Sequence, residues 1–245
     1  MTALDESVVE DAALEWFAQL GYERAFGPNI APDGNHSERA SFEQVYLYER
    51  LREAARRINP NHLDLVDEAI KRLERAESQS EVAENSRVHK LLIHGVPIEY
   101  RDASGSVRTT HVKLIDFDNS ANNDFLAVNQ FTIVGNKNRR PDVLVFVTGI
   151  PLALLELKNL ANEHATLKNA WNQVQTYRKD IPIVFVPNAV TVISDGISAA
   201  MSSNLHPVTV EDSVLQADLL VGGVLSTGAR APKLVSEALV RRMKA

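Results

Sequence analysis

Asp142, Glu156 and Lys158 are ionisable side chains set at the ends of two runs that are otherwise aliphatic and β-branched, Val143-Leu144-Val145-Phe146-Val147 and Ile150-Pro151-Leu152-Ala153-Leu154-Leu155. Thr148-Gly149 between the runs reads as the turn of a β-hairpin. A strand sends successive side chains to opposite faces, so Glu156 and Lys158 point the same way. Folding the hairpin about Thr148-Gly149 sets Asp142 opposite position 155 or 156, according to whether the loop holds two or three residues, and the three charges converge. Two adjacent carboxylates repel unless a cation lies between them, and oxygen donors suit a hard ion such as Mg²⁺. A neighbouring ammonium lowers carboxylate pKa values and can orient an attacking water or stabilise charge developing at phosphorus. The alternative is a buried ion pair on a sheet, with the second acid solvated at a strand end. The free-energy cost of keeping charges in strands this apolar favours the metal site.

The elements that must position these groups can be read in chain order. Val8, Val9, Ala12, Ala13, Trp16, Phe17 and Leu20 recur at helical spacing over residues 6 to 20, stopped by Gly21, and this helix carries Glu10 and Glu15, which as lone acids on a helix read as solvated surface. Residues 22 to 40 read as a loop. Ser41 predicts the cap of a helix running to about Ile58, and Asn59-Pro60-Asn61 separates it from a second helix over about Leu63 to Ala76, making a helical hairpin over 41–76. The polar run from Glu77 to Arg87 reads as a loop or a frayed helix end. Strands follow at Val96 to Arg101, Val107 to Phe117 and Val128 to Val134; the acids between them lack the alternating ligands and closing Glu of a calcium loop. Beyond Lys158 the pattern turns helical from Glu163 to about Lys179, placing Gln173 and Tyr177 four apart on one face. That pair either satisfies itself at the surface or reaches a phosphate or water held at the carboxylates. Short strands at Ile183 to Val186 and Ala189 to Ser194 complete an α/β pattern around a mixed sheet.

Composition narrows the function classes. The 245 residues can bury a substantial core, and 44% hydrophobic with 24% charged residues is ordinary for a soluble globular protein. There is no cysteine, which excludes disulfides, thiolate nucleophiles and zinc–thiolate sites and fits a cytoplasmic protein. The acidic N-terminus lacks a signal peptide's basic start, and no apolar stretch approaches the roughly 18 residues of a membrane span. A net charge of −6 argues against coating nucleic acid by bulk electrostatics. It leaves room for a local basic groove: Lys137, Arg139 and Arg140 precede the hairpin, and Lys168, Arg178 and Lys179 follow it. Those residues form either a phosphate-contacting surface or a solvated face.

Pro141-Asp142, Glu156-Leu157-Lys158 after a hairpin, and Gln173-xxx-Tyr177 on the next helix together resemble the PD-(D/E)xK pattern of the N-terminal nuclease domain of type I restriction enzyme R subunits. The phrases around Leu114 to Asn119, Asn122 to Phe125, Val128 to Phe131 and Ile193 to Gly196 are similar to that family's text, over roughly residues 5 to 200. The resemblance implies a restriction-endonuclease-like α/β core, with a central mixed sheet flanked by helices and an N-terminal helical region. It implies that Asp142, Glu156 and the Leu157 carbonyl hold Mg²⁺, and that Lys158 positions or activates the attacking water. Gln173 and Tyr177 would support the site and its contact with DNA, and Glu10 would be a further acid from the first helix. The implied reaction is hydrolysis of DNA phosphodiesters, with methylation and specificity subunits as partners and the DNA target read by another subunit.

The departures from that family shape further expectations. There is no Gly-x-x-x-x-Gly-Lys-Ser/Thr loop, so the chain is expected neither to bind nor to hydrolyse ATP by itself. Residues 201–245 form an atypical tail, expected as helix-strand-helix, in which Val210 to Val235 resembles an internal piece of an alanine dehydrogenase NAD-binding domain. The glycine-rich phosphate loop is missing, so no NAD site is expected. The tail is either a helix, a strand and a helix similar by chance, or the product of a truncated or fused reading frame, the expected case, patching the exposed sheet edge or hanging loosely. A non-cleaving remnant that binds DNA or the other subunits is the alternative function, against which the intact Asp142, Glu156 and Lys158 argue.

Overall fold

The computed structural model describes residues 6–158, 167–194 and 199–202. The predicted tail, apart from its first two residues, lies outside the described residues. The elements are α1 (Glu6–Gln19), β1 (Glu23–Phe26), α2 (Tyr48–Ile58), α3 (Val66–Glu74), α4 (Glu81–His94), β2 (Val96–Arg101), β3 (Val107–Val112), β4 (Phe125–Asn129), β5 (Ile133–Val134), β6 (Asn138–Arg139), β7 (Val143–Val147), β8 (Ile150–Leu157), α5 (Leu167–Asp180), β9 (Val190–Ser194) and β10 (Ala199–Ser202). Six strands form one mixed sheet in the order β1-β4-β7-β8-β9-β10, and β2–β3 and β5–β6 form separate ribbons. This is the predicted α/β architecture with a central mixed sheet flanked by helices.

Period-two alternation in the central strands supplies a core on each face. Val143, Val145, Leu155 and Leu157 pack with Ala127 against Ala13, Leu14 and Phe17 of α1. Leu144, Phe146 and Leu154 point the other way, into the larger core that includes Leu51 of α2, Leu73 of α3, Val88 of α4 and Val174 of α5. The site-bearing hairpin is therefore clamped between α1 and α5.

The β7–β8 turn holds two residues, Thr148 at φ 50° and Gly149 at φ 77°, the left-handed pair that a tight hairpin requires. Thr148 tolerates this conformation because it is fully buried and doubly tied: its N–H donates to the Asp124 carbonyl at 2.6 Å and its hydroxyl to the Leu114 carbonyl at 3.0 Å. A Cβ on Gly149 would lie 2.4 Å from the Leu47 carbonyl oxygen, so glycine is dictated by space as well as by φ.

Several elements differ from expectation for physical reasons. The 41–76 hairpin begins at Tyr48, not Ser41, because Gln44 holds the preceding turns: its Oε1 accepts from the Ala40 N–H and its Nε2 donates to the Tyr46 carbonyl. Part of the polar run after Glu77 belongs to α4, starting at Glu81. Its polar residues satisfy ends and interior: Ser80 caps Ala83, Glu84 accepts from the Glu77 and Ser78 N–H groups, and buried Asn85 donates to the carbonyls of Phe185, Val186 and Asn188. The expected loop 22–40 contains the edge strand β1, parallel to β4. The expected strand 128–134 is two strands broken at Gln130, which has φ 56°. The second strand of the β2–β3 hairpin ends at Val112 rather than Phe117. Pro182–Phe185 is a 3₁₀ turn rather than a strand; a four-residue apolar run carries too little periodicity to separate the two. Ala199–Ser202 pairs antiparallel with β9 and, among the described residues, is the outermost strand on that side of the sheet.

Candidate active site

The site is built by a register shift. Val147 pairs with Ile150 and Phe146 with Pro151, but Val145 pairs with Ala153, leaving Leu152 bulged. Below the bulge Val143 faces Leu155, and continuing the ladder brings Asp142 opposite Glu156. Asp142 thus shares a face with Leu144, and Glu156 with Leu154, both under α5. The Leu157 N–H donates to Asp142 Oδ2 at 2.6 Å across the strand ends.

Glu156 is completely buried, and Lys158 Nζ reaches its Oε1 at 2.5 Å. Burial pushes the Asp142 carboxyl up to about 7, and the Glu156 charge pushes in the same direction. The Leu157 N–H and the Lys158 ammonium pull it down, while the charge of Glu10 adds to the upward push. Two carboxylates packed this closely in a buried setting favour a cation between them. From α5, Gln173 Nε2 donates to the Tyr177 hydroxyl at 2.6 Å. Burial, followed by the charge of Glu156, raises the Tyr177 pKa; the hydroxyl is also hydrogen-bonded to Glu156 and lies 3.5 Å from the Arg140 carbonyl. The expected pair therefore reaches the carboxylates rather than satisfying itself alone at the surface.

Glu10 is buried on α1 and held from β4's end: Gln130 Nε2 donates to Oε1 at 2.8 Å and to Oε2 at 2.7 Å, and Asn129 Nδ2 lies 3.3 Å from Oε2. Glu10, Asn129 and Gln130 line a groove of ≈ 630 Å³ with Arg24 and Phe26. Sequence reasoning missed the two amides. Their signal was a polar pair, Asn129-Gln130, ending an apolar strand.

Among the described residues no group of three or more His, Cys, Asp or Glu side chains could hold a metal ion. The donor set fits a hard divalent cation only with Asp142 and Glu156 supplemented by main-chain oxygen, for which the Leu157 carbonyl stands next to Glu156 in the chain. All of these donors are oxygen, as Mg²⁺ prefers.

The basic residues separate by environment. A second groove, of ≈ 580 Å³, is lined by Asn138, Arg139, Arg140, Asn172, Gln173, Thr176 and Tyr177, and so runs up to the helix pair. Arg139 is anchored in it by buried Asp180, at 2.7 Å from Nε. Lys137, Arg140 and Lys168 are exposed. Arg178 is engaged elsewhere, paired with Glu81 of α4 at 2.7 Å and standing 4.9 Å over the Phe185 ring.

Residues 3–207 match the family described as type I restriction enzyme R protein N terminus. The chain is 37% identical over 203 residues to the type I restriction enzyme HindI endonuclease subunit of Haemophilus influenzae, covering 82% of this chain and 19% of that protein. It is 33% identical over 204 residues to a candidate type I restriction enzyme endonuclease subunit, MjaIXP, of Methanocaldococcus jannaschii, covering 81% and 19% respectively. The chain thus spans about a fifth of the length of these relatives. A shorter similarity, 51% over 39 residues, joins 16% of the chain to 10% of the alanine dehydrogenase of Bacillus subtilis. With a family match across most of its length, the chain belongs to the type I restriction enzyme R protein N-terminus family.

Proposed function

We propose that this chain is the nuclease domain of a type I restriction R subunit and hydrolyses DNA phosphodiesters with Mg²⁺. The observation that carries the reading is the convergence of Asp142, Glu156 and Lys158 at the open end of a bulged hairpin, beneath Gln173 and Tyr177. Asp142, Glu156 and the Leu157 carbonyl would hold the ion. When bound, Mg²⁺ supplies charge stabilisation at the scissile phosphate and lowers the pKa of a bound water.

The chain's own groups do the rest. The Leu157 N–H fixes one oxygen of Asp142, leaving the other for the ion. Lys158 pairs with Glu156 and would place a positive charge beside the phosphate, where it would orient the attacking water. Gln173 and Tyr177 fix the outer side of Glu156, and Glu10 adds negative charge from α1. Arg139, Arg140, Lys137 and Lys168 give phosphate contacts along the groove beside α5. Methylation and specificity subunits are the proposed partners, with the DNA target read by another subunit. Binding of ATP or NAD is not part of the proposed role. No helix among the described residues is long and apolar enough to cross a membrane, and a cytoplasmic setting is proposed from the family's DNA substrate. We also propose a nuclease unit over about residues 1–200, carried to Ser202 by β10, with the remainder as a separate tail.

The second reading is a DNA- or subunit-binding piece that does not cut. Incubation with supercoiled plasmid in Mg²⁺ or EDTA separates the two. Nicking in Mg²⁺ alone supports the nuclease; salt-sensitive DNA retention without nicking supports the second reading.

A further inference from the structure

Gln130 adopts φ 56°, a conformation that an L side chain rarely takes and that persists where the surroundings impose it. It follows β4 directly. Along β4, Ala127 faces α1 and Val128 the opposite core, so regular alternation would send Asn129 toward α1 and Gln130 away from it. The left-handed turn overrides that alternation, and the amides of both residues reach Glu10.

The main chain of Gln130 is fixed on both sides. Its N–H donates to the Asp142 carbonyl at 3.2 Å, and its own carbonyl packs so tightly on Gly27 that a Cβ there would lie 2.3 Å away. The next residue, Phe131, is fully buried against Phe146 and under the Arg39 guanidinium, 3.7 Å from its ring centroid. One residue thus touches two acids on different elements: Glu10 on α1 through its side chain, and Asp142 at the head of β7 through its backbone.

We infer that Gln130 is a positioning residue for the metal site, holding Glu10 and Asp142 in one arrangement. This rests on the reading of Asp142 and Glu156 as ion ligands. The amide donates to both oxygens of Glu10, which fixes the orientation of a carboxylate whose charge is felt at Asp142. Partners that orient ligands in this way typically contribute about 10- to 100-fold in metal affinity or activity.

Glycine separates positioning from mere conformation. It accepts a positive φ without strain, so if Gln130 served only the turn, Gln130→Gly would be at least as stable as wild type and would bind metal equally well. Mn²⁺ titration of the 245-residue protein, followed by the electron paramagnetic resonance signal of free Mn²⁺, provides a readout independent of cleavage. The expected result is a wild-type urea midpoint for Gln130→Gly with Mn²⁺ affinity reduced about tenfold or more. Glu10→Gln should weaken binding to a similar extent, and the double variant no further. Gln130→Glu, matched in shape but repelling Glu10, should show the same loss and serves if the glycine variant fails to fold. Wild-type Mn²⁺ affinity in a folded Gln130 variant, or additive losses in the double variant, would overturn the inference while leaving the metal site standing. Failure of the wild type to bind Mn²⁺ would overturn the metal site and the inference together.

Discussion

Asp142 and Glu156 oppose one another because Leu152 is bulged out of β8. Without the extra residue, a two-residue turn at Thr148-Gly149 would set Asp142 against Leu155 instead. The bulge is what lets a tight hairpin place two acids and Lys158 on the face covered by α5. Both residues that define the turn are locked to other parts of the fold, so the site's register depends on contacts at the far end of the hairpin.

Gly149→Ala tests that dependence. The added methyl meets the Leu47 carbonyl in a backbone conformation that alanine avoids, and the variant should lose about 2 kcal/mol or more in urea unfolding. A loss within measurement error would show that the turn is not fixed by the contact with Leu47.

The pH dependence of stability follows from Asp142. Its folded pKa, about 7, lies above the ordinary value of 3.8. The folded chain therefore holds this proton more tightly than the unfolded chain. The resulting stability is fully present below the ordinary value and is lost as pH rises through the folded value. In EDTA, wild-type stability should fall across this window relative to Asp142→Asn, whose side chain does not titrate. Urea unfolding at several pH values measures the difference; parallel profiles would contradict the proposed environment of Asp142. Because a divalent ion competes with the same proton, apparent Mg²⁺ affinity should rise with pH and level off above about 7.

Arg140 and Arg178 should behave oppositely, although both stand near the site in sequence. Arg140 is exposed beside the α5 groove, so Arg140→Ala should weaken DNA binding and reduce the salt slope by about one unit, with unfolding unchanged. Arg178 pairs with Glu81 and covers Phe185, so Arg178→Ala should destabilise by about 1 kcal/mol and leave DNA affinity intact. Fluorescence anisotropy with a short duplex, alongside urea unfolding, distinguishes them; loss of DNA affinity in a stable Arg178→Ala would reverse the assignment.

The hairpin and the Gln173–Tyr177 pair were legible because their signals are local: strand periodicity, a Thr-Gly turn and a four-residue helical step. The bulge was not, since Leu152 is an ordinary strand residue and only the ladder decides between positions 155 and 156. Helix α4 was hidden because its polar side chains, Ser80, Glu84 and Asn85, are consumed by caps and buried hydrogen bonds that a periodicity argument reads as solvent exposure. Glu10 was visible as an acid on an amphipathic helix, but its holders were not: a left-handed Gln130 breaks the alternation on which sequence reading of a strand relies.

Asp142, Glu156 and Lys158 are proposed to form one metal-dependent hydrolytic site. Its most direct test is the rate of supercoiled-plasmid nicking in Mg²⁺ by wild type, Asp142→Ala and Lys158→Ala, each verified to be folded. Nicking by wild type is expected to be abolished by EDTA and reduced by about 100-fold or more in both variants. Mg²⁺-dependent nicking that persists at the wild-type rate in either variant would contradict it.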